Sequence, residues 1–481
     1  MITTRLGSTG RTISSRRRRA IAGVGAAALL LAVAACGSGN QAAPISADAT
    51  TSANAAPVSG TTPASTALRS STPPSSILPS STESSLAGAT SGLKPIDQAA
   101  LQLLVDTTIK DQLIPGAVLV LSTPQGDFTV SSGTTEIGVQ SPPDANTHFR
   151  IASNTKTMTA AVVLQLAQEG KLELTDPVSK YVSGVPGGDS ITVEQLLKMR
   201  TGLYNYTNAQ QMATSLDDDP TREWTPQELL DIAFAQPANF APDAEFEYSN
   251  TNYVLLGLII EKVDGKPLAT SFQDRLFGPL GMTNTELPAG ASFTIPDPFA
   301  HGYLYGSSSI ALFGEPAYTP EQIAAAKDGT LQPTDYTDVN HSFAFGAGNV
   351  ISTAHDLVTW TKALVGGQVL DAEYQKLWLD SPQMEDPDKP GGLWYGYGIT
   401  RQSWGSNNLI YHGGETAGYN SKMAVETTND VTLVLWTTLT VDVDKEQQTA
   451  NTLMLKVLDQ IMVQSPLAVT AADLTAPPTT G

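Results

Sequence analysis

Among 481 residues there is a single cysteine, Cys36, and there are only five histidines. No intramolecular disulfide can form, and neither paired-cysteine nor H-E-x-x-H spacing occurs, so nothing in the sequence calls for a metal. Basic residues are also scarce: 27 Lys and Arg stand against 47 Asp and Glu, a net charge of −20. Six of those bases (Arg5, Arg11, Arg16, Arg17, Arg18 and Arg19) crowd into residues 1–35, which hold no acid. The remainder therefore has 21 bases against 47 acids, a balance of −26. A body of that charge lacks the clustered Lys and Arg that nucleic acid requires, and it suits solubility in an exterior compartment. Beyond residue 35 no apolar run reaches the ~18 residues of a membrane helix.

The chain opens on what reads as an export address. SRRRRA (15–20) is a charged leader, and residues 20–35 are an apolar run of Ala, Leu, Val and Gly, short for a span and ended by small residues. The run closes as LAVAAC and resembles a bacterial lipobox. That resemblance implies cleavage before Cys36 and lipidation of its thiol. An ordinary secretory signal with an incidental Cys36 is the alternative, and the consecutive arginines also fit twin-arginine export. Residues 37–92 are almost wholly Ser, Thr, Ala, Pro and Gly, a composition that cannot bury enough apolar surface to offset its ordering entropy. They read as a disordered stalk, and TAADLTAPPTTG after about residue 465 reads as a matching tail. The expected product is a monomer of one domain, residues 93–465, lipid-anchored to the outer face of the cytoplasmic membrane.

Within that domain the first segment, from Pro95, has apolar residues at helical spacing. Strand-like runs AVLVLST (117–123) and FTVSS (128–132) follow, separated by Pro124-Gln125-Gly126 turn chemistry. A largely helical stretch follows Ser153. Strands return as NLIYH (408–412), KMAVET (422–427) and VTLVLWTT (431–438), and an amphipathic helix closes the domain over Gln447–Val463. Strands at both ends with helices between predict an α+β fold, one sheet completed by both ends of the chain around a helical insertion.

Three short constellations carry chemistry. Ser153-Asn154-Thr155-Lys156 stands ahead of an apolar segment. If a helix starts near Ser153, positions i and i+3 share a face and the hydroxyl can meet the amine. Burial and the positive helix end both disfavour a protonated lysine, which makes it a better base for an alcohol nucleophile. The bland reading is a capping serine beside a solvated lysine, and Ser91-Gly-Leu-Lys94 shows that the spacing recurs by chance. Tyr248-Ser249-Asn250 heads an apolar helix that should end at Gly265. A tyrosine there can relay protons, and an amide can hold a carbonyl or the lysine. Tyr206-Thr207-Asn208 repeats the spacing in a loop. His412-Gly413-Gly414-Glu415 follows a strand, where glycines mark close backbone approach to a ligand. The lysine versions Lys327-Asp-Gly and Lys389-Pro-Gly look accidental.

S-x-x-K, Y-x-N and H-x-G in that order resemble the penicillin-recognising serine hydrolases. The likeness is greatest to the branch of class C β-lactamases, DD-carboxypeptidases and related esterases. LLKMRTGL (196–203), LFGPLGMTNT (276–285), GAGNVISTAHDL (346–357) and YGYGI (395–399) support it, and it covers roughly residues 95–463. The resemblance implies the β-lactamase/DD-peptidase fold, an antiparallel sheet flanked by helices beside an all-helical lobe, with the site between them. It implies Ser153 as the acylated nucleophile, Lys156 as its base and Tyr248 as the proton relay. Asn250, His412, Gly414 and Glu415 would bind substrate, with an oxyanion hole from the backbone N–H groups of Ser153 and Glu415. No metal or organic cofactor is implied.

Two departures bear on substrate. Histidine stands where many relatives carry lysine, which favours the DD-carboxypeptidase and esterase types over a true β-lactamase. Glu415 is poor company for an anionic substrate unless its side chain points away. The activity expected is an acyl-enzyme hydrolase acting on a small peptide, ester or β-lactam. A D-alanyl-D-alanine carboxypeptidase is preferred for its place beside the wall, with an esterase, a weak β-lactamase or a non-catalytic wall-binding lipoprotein as alternatives. The anchor has its own test. Feeding producing cells an alkyne fatty acid is expected to tag the wild-type chain and not Cys36→Ser; equal tagging of both sinks the lipid reading.

Overall fold

The structure, a computed structural model, describes residues 92–468 except 291, 314–316, 389–391 and 445–446. The leader, Cys36, the stalk to residue 91, the tail from residue 469 and the Lys389 motif lie outside the described residues. Asp97 caps α1 (Gln98–Asp111) by accepting the Ala100 N–H at 2.8 Å. Pro95 and Ile96 stay outside that helix, because the Ile96 N–H donates to Gln125 Oε1 instead. The hairpin β1 (Gly116–Thr123) and β2 (Gly126–Gly133) turns through Pro124-Gln125. Then come α2 (Thr155–Gln168), α3 (Asn250–Asp264) and α4 (Ala354–Val365), with shorter helices between them. The chain returns through β3 (Gln383–Met384), β4 (Trp394–Tyr395), β5 (Thr400–Trp404), β6 (Asn407–Thr416), β7 (Tyr419–Glu426) and β8 (Val431–Thr437), and ends on α5 (Thr449–Ile461).

All eight strands form one antiparallel sheet in the order β2-β1-β8-β7-β6-β5-β4-β3. The last strand of the chain thus pairs with the first, Ala117 opposite Thr437 through Ser122 opposite Thr432. Every residue of β7 and β8 is buried, as expected of strands covered on both faces. α1 and α5 pack on one face and on each other, and α4 packs across β1, β7 and β8 on the other. On the α4 face Trp436 stacks on Phe149 with ring centroids 5.0 Å apart. The helices between α2 and α4 form the second lobe. α3 is its centre, apolar on nearly every side and packed on α2, and it ends at Gly265 in the left-handed conformation, φ 72°. Among the described residues no helix is long and apolar enough to cross a membrane.

Two boundaries differ from the sequence expectation, each for a local reason. α2 starts at Thr155, because Ala152–Asn154 form a tighter 3-10 turn with Ala152 at φ 47°. α5 spans Thr449–Ile461, because Gln448 leaves the helix at its head and Met462 bridges back to Leu93 at its foot.

The sheet and the lobe meet where β6 outruns its neighbour. β5 pairs with β6 only as far as Thr400 opposite Tyr411, so residues 412–416 keep β7 alone. The heads of α2 and α3 stand against that free edge. Across the lobe, Gly257 of α3 touches the ring of Phe345, a residue held at φ 38°. Gly257→Ala gains about 1 kcal/mol of helix propensity, but its new Cβ would lie 2.6 Å from Phe345 Cε1. Overpacking of this kind costs about 1–3 kcal/mol. The expected net result is a destabilised protein, read as a lower urea midpoint; a midpoint at or above wild type would refute it.

Candidate active site

Ser153 sits at the centre of the 3-10 turn ahead of α2, and Lys156 is one turn further on. The turn is clamped from behind: Asn154 Nδ2 donates to Ile151 O at 3.0 Å and to Ser421 Oγ of β7 at 2.8 Å. Thr157 Oγ1 donates to Asn154 O and accepts from Trp360 Nε1 of α4. Ala152, a non-glycine residue at positive φ, stores local strain immediately before the hydroxyl. The structure brings the two residues together, with Lys156 Nζ 2.9 Å from Ser153 Oγ.

Lys156 is wholly buried, and desolvation holds its amine well below the ordinary lysine range. Nζ has two more neighbours, Asn250 Oδ1 and Ala347 O, each at 2.7 Å. Both are carbonyl oxygens, which only accept. A neutral amine has two N–H bonds to give and one lone pair. The two carbonyls take the N–H bonds, and the lone pair is left facing the Ser153 O–H, the arrangement of a base.

Tyr248 joins the same cluster from the lobe. Lys156 Nζ lies 4.8 Å from its ring centroid, and burial raises its hydroxyl above the usual tyrosine range. It is therefore held as a phenol. Asn250 is the first residue of α3, and its own N–H donates to Asn205 Oδ1 while its Nδ2 donates to Thr207 Oγ1. Ser249 does not cap the helix with its side chain; its Oγ donates to Leu203 O.

His412 reaches the cleft from β6. Its Nδ1 lies 2.7 Å from Gly413 O, a pure acceptor, so that nitrogen carries the proton. Its Nε2, 3.2 Å from Tyr395 Oη, accepts the phenol. Burial above all pushes His412 down to about 3, so it is neutral near pH 7. Gly414 faces the nucleophile turn so closely that a Cβ there would stand 2.0 Å from Ile151 O.

Glu415 belongs to this segment by its backbone only. Neighbouring residues of a strand face opposite ways, so with Gly414 toward Ser153 the Glu415 side chain points to the α5 side of the sheet. There Gln448 Nε2 donates to its carboxylate. The Glu415 side chain thus points away from the cleft, the condition under which it does not oppose an anionic substrate. The Glu415 N–H is another matter. Thr416 opposite Tyr419 closes a two-residue turn, and hydrogen-bonded pairs alternate from there. Glu415 falls in a non-bonded pair, and its N–H points to the free edge of β6.

Several contributors lay outside the sequence reading. Ala347 acts through a carbonyl, which no side-chain pattern reports. Asn205 and Thr207 lie in and beside the Y-x-N repeat at 206–208, whose Tyr206 is buried and donates to Phe343 O at 2.6 Å. Tyr395 lay within the YGYGI segment, noticed only as family likeness. The other repeats are elsewhere: Lys94 donates to Asp459 O, and Lys327 pairs with Asp444 on the surface.

The chain is similar to several known proteins. "Protein flp" of Staphylococcus aureus (strain COL) is 34% identical over 197 residues, 38% of each chain, so this chain matches under half of that relative's length. "Penicillin-binding protein 4*" of Bacillus subtilis (strain 168) is 26% identical over 76% of each. The solved structure of a D-stereospecific amidohydrolase from Streptomyces sp. superposes with a TM-score of 0.63 at 27% identity, covering 75% of this chain and 98% of that one. A protein-family profile described as Beta-lactamase matches residues 101–457. Because that match runs from α1 into α5 and takes in both lobes, the chain belongs to the Beta-lactamase family.

Proposed function

We propose that the protein is a serine hydrolase that forms an acyl-enzyme on Ser153. The observation that carries this reading is the coordination of Lys156, two carbonyl oxygens and one hydroxyl around a buried amine. In the first step Ser153 gives its proton to Lys156 Nζ, and Oγ bonds to the substrate carbonyl carbon. The carbonyl oxygen becomes an oxyanion between the N–H groups of Ser153 and Glu415. The leaving nitrogen or oxygen takes a proton from the Tyr248 hydroxyl, which Lys156 replenishes. The C–N or C–O bond breaks, and water reverses the sequence to free the acid.

For the substrate we propose an amide or ester of a D-aminoacyl group rather than a peptide ending in a free carboxylate. His412 is the side chain placed to meet such a carboxylate, and it is neutral, with one nitrogen donating to Gly413 and the other accepting from Tyr395. The relative that acts on D-amides supports this choice. The D-alanyl-D-alanine carboxypeptidase preferred from the sequence remains the second reading, supported by likeness to a penicillin-binding protein.

Three outcomes are expected. Ser153→Ala loses covalent labelling by fluorescent penicillin or an activated ester, and kcat falls at least about a thousandfold; retained labelling would place the nucleophile elsewhere. For Lys156 the lowered pKa means the reactive neutral amine prevails at lower pH than a free lysine would allow. kcat/KM should rise with pH as Lys156 loses its proton, and His412→Gln should keep that acid limb. If the limb disappears in His412→Gln, the histidine is the titrating base. Finally, D-phenylalanine amide or its methyl ester should be cleaved with higher kcat/KM than a D-Ala-D-Ala peptide, followed as product acid against released D-alanine. The reverse order would favour the carboxypeptidase.

A further inference from the structure

The free edge of β6 has a support on its far side that the three motifs do not include. The Glu415 N–H has no acceptor in the sheet: β5 has ended, and on the β7 side Glu415 and Asn420 are a non-bonded pair. The other end of that peptide, Gly414 O, accepts from Asn420 Nδ2 at 3.2 Å and pairs with Ser421 of β7, and the Glu415 side chain adds a second restraint.

That side chain is tied down. Gln448 Nε2 donates to Glu415 Oε2, and Lys422 Nζ donates to Gln448 Oε1 at 3.3 Å. Gln448 stands at the head of α5 but makes no side-chain cap bond there; its amide is turned to the sheet instead. Lys422 lies opposite Gly413 on β7 and is 4% exposed. A Cβ on Gly413 would stand 2.5 Å from Lys422 Nζ, so the amine lies directly behind the strand. An amide set between a carboxylate and an ammonium cannot flip, because its NH2 must face the first and its oxygen the second. Burial raises the Glu415 carboxyl to about 7 and lowers the Lys422 amine to about 8, and in their charged forms both bonds are stronger than neutral ones. Burying two charges in this way costs desolvation, and neither group reaches the substrate side of the sheet. The effect of the bridge is to lock Glu415 to α5.

We propose that Lys422 and Gln448 are positioning residues for acyl transfer, holding the Glu415 peptide so that its N–H meets the oxyanion. This inference rests on the acyl-enzyme reading above. A misplaced donor weakens the transition state more than the ground state, so the loss falls on kcat.

The test uses the full chain and the pre-steady-state burst with p-nitrophenyl acetate. Gln448→Met and Lys422→Met are expected to lower the acylation rate constant about tenfold to a hundredfold, with the half-saturating ester concentration within about twofold. Glu415→Gln keeps an acceptor for Gln448 and should lose less than Glu415→Leu, a ranking that simple loss of packing does not produce. Near-UV circular dichroism identifies any variant that fails to fold, and the Glu415 pair then decides. Folded variants with wild-type acylation, or losses confined to half-saturation, overturn the inference alone. A wild type without a Ser153-dependent burst overturns the acyl-enzyme reading and this inference with it.

Discussion

Everything in the site depends on an amine taken out of water. Lys156 has no exposed surface, and a bare ammonium in that position would be costly. The fold offsets part of that cost with two carbonyl acceptors and leaves the third direction to Ser153. One acceptor comes from the head of α3, and the other from the 341–347 segment, where Phe345 is held at φ 38° and Gly257 leaves room for its ring.

The sheet supplies the other wall. By ending β5 early, the fold leaves five residues of β6 with an unpaired edge facing the nucleophile. An unpaired edge is ordinarily a liability for a sheet; here its N–H groups face Ser153, and its far face is tied to α5 through Glu415, Gln448 and Lys422. Gly413 O fixes the tautomer of His412 and burial keeps the ring neutral, which makes this wall polar but uncharged.

Much of the arrangement was legible in the sequence. The runs at 117–123 and 431–438 were legible as strands, and strands at both chain ends announced the closure of the sheet. Ser153 with Lys156 and Tyr248 with Asn250 were legible because each pair is local, set by one helical turn or one helix head. The contributions of Ala347, Asn205, Thr207, Tyr395 and Gln448 were not. They come from backbone carbonyls or from side chains brought in across long sequence separations, and no periodicity records such contacts. The direction of the Glu415 side chain was left open by the sequence, and its place on the strand turns it to the α5 side.

The sequence by itself determined which groups could react and the local elements that hold them, because helix turns and strand alternation are short-range properties of the chain. Only the tertiary structure decided their protonation. A lysine beside a serine is a solvated cation until two lobes close around it, and a histidine on a strand is a switch until burial and two hydrogen bonds make it neutral. Desolvation depends on everything packed around a group, and that is set by the whole fold.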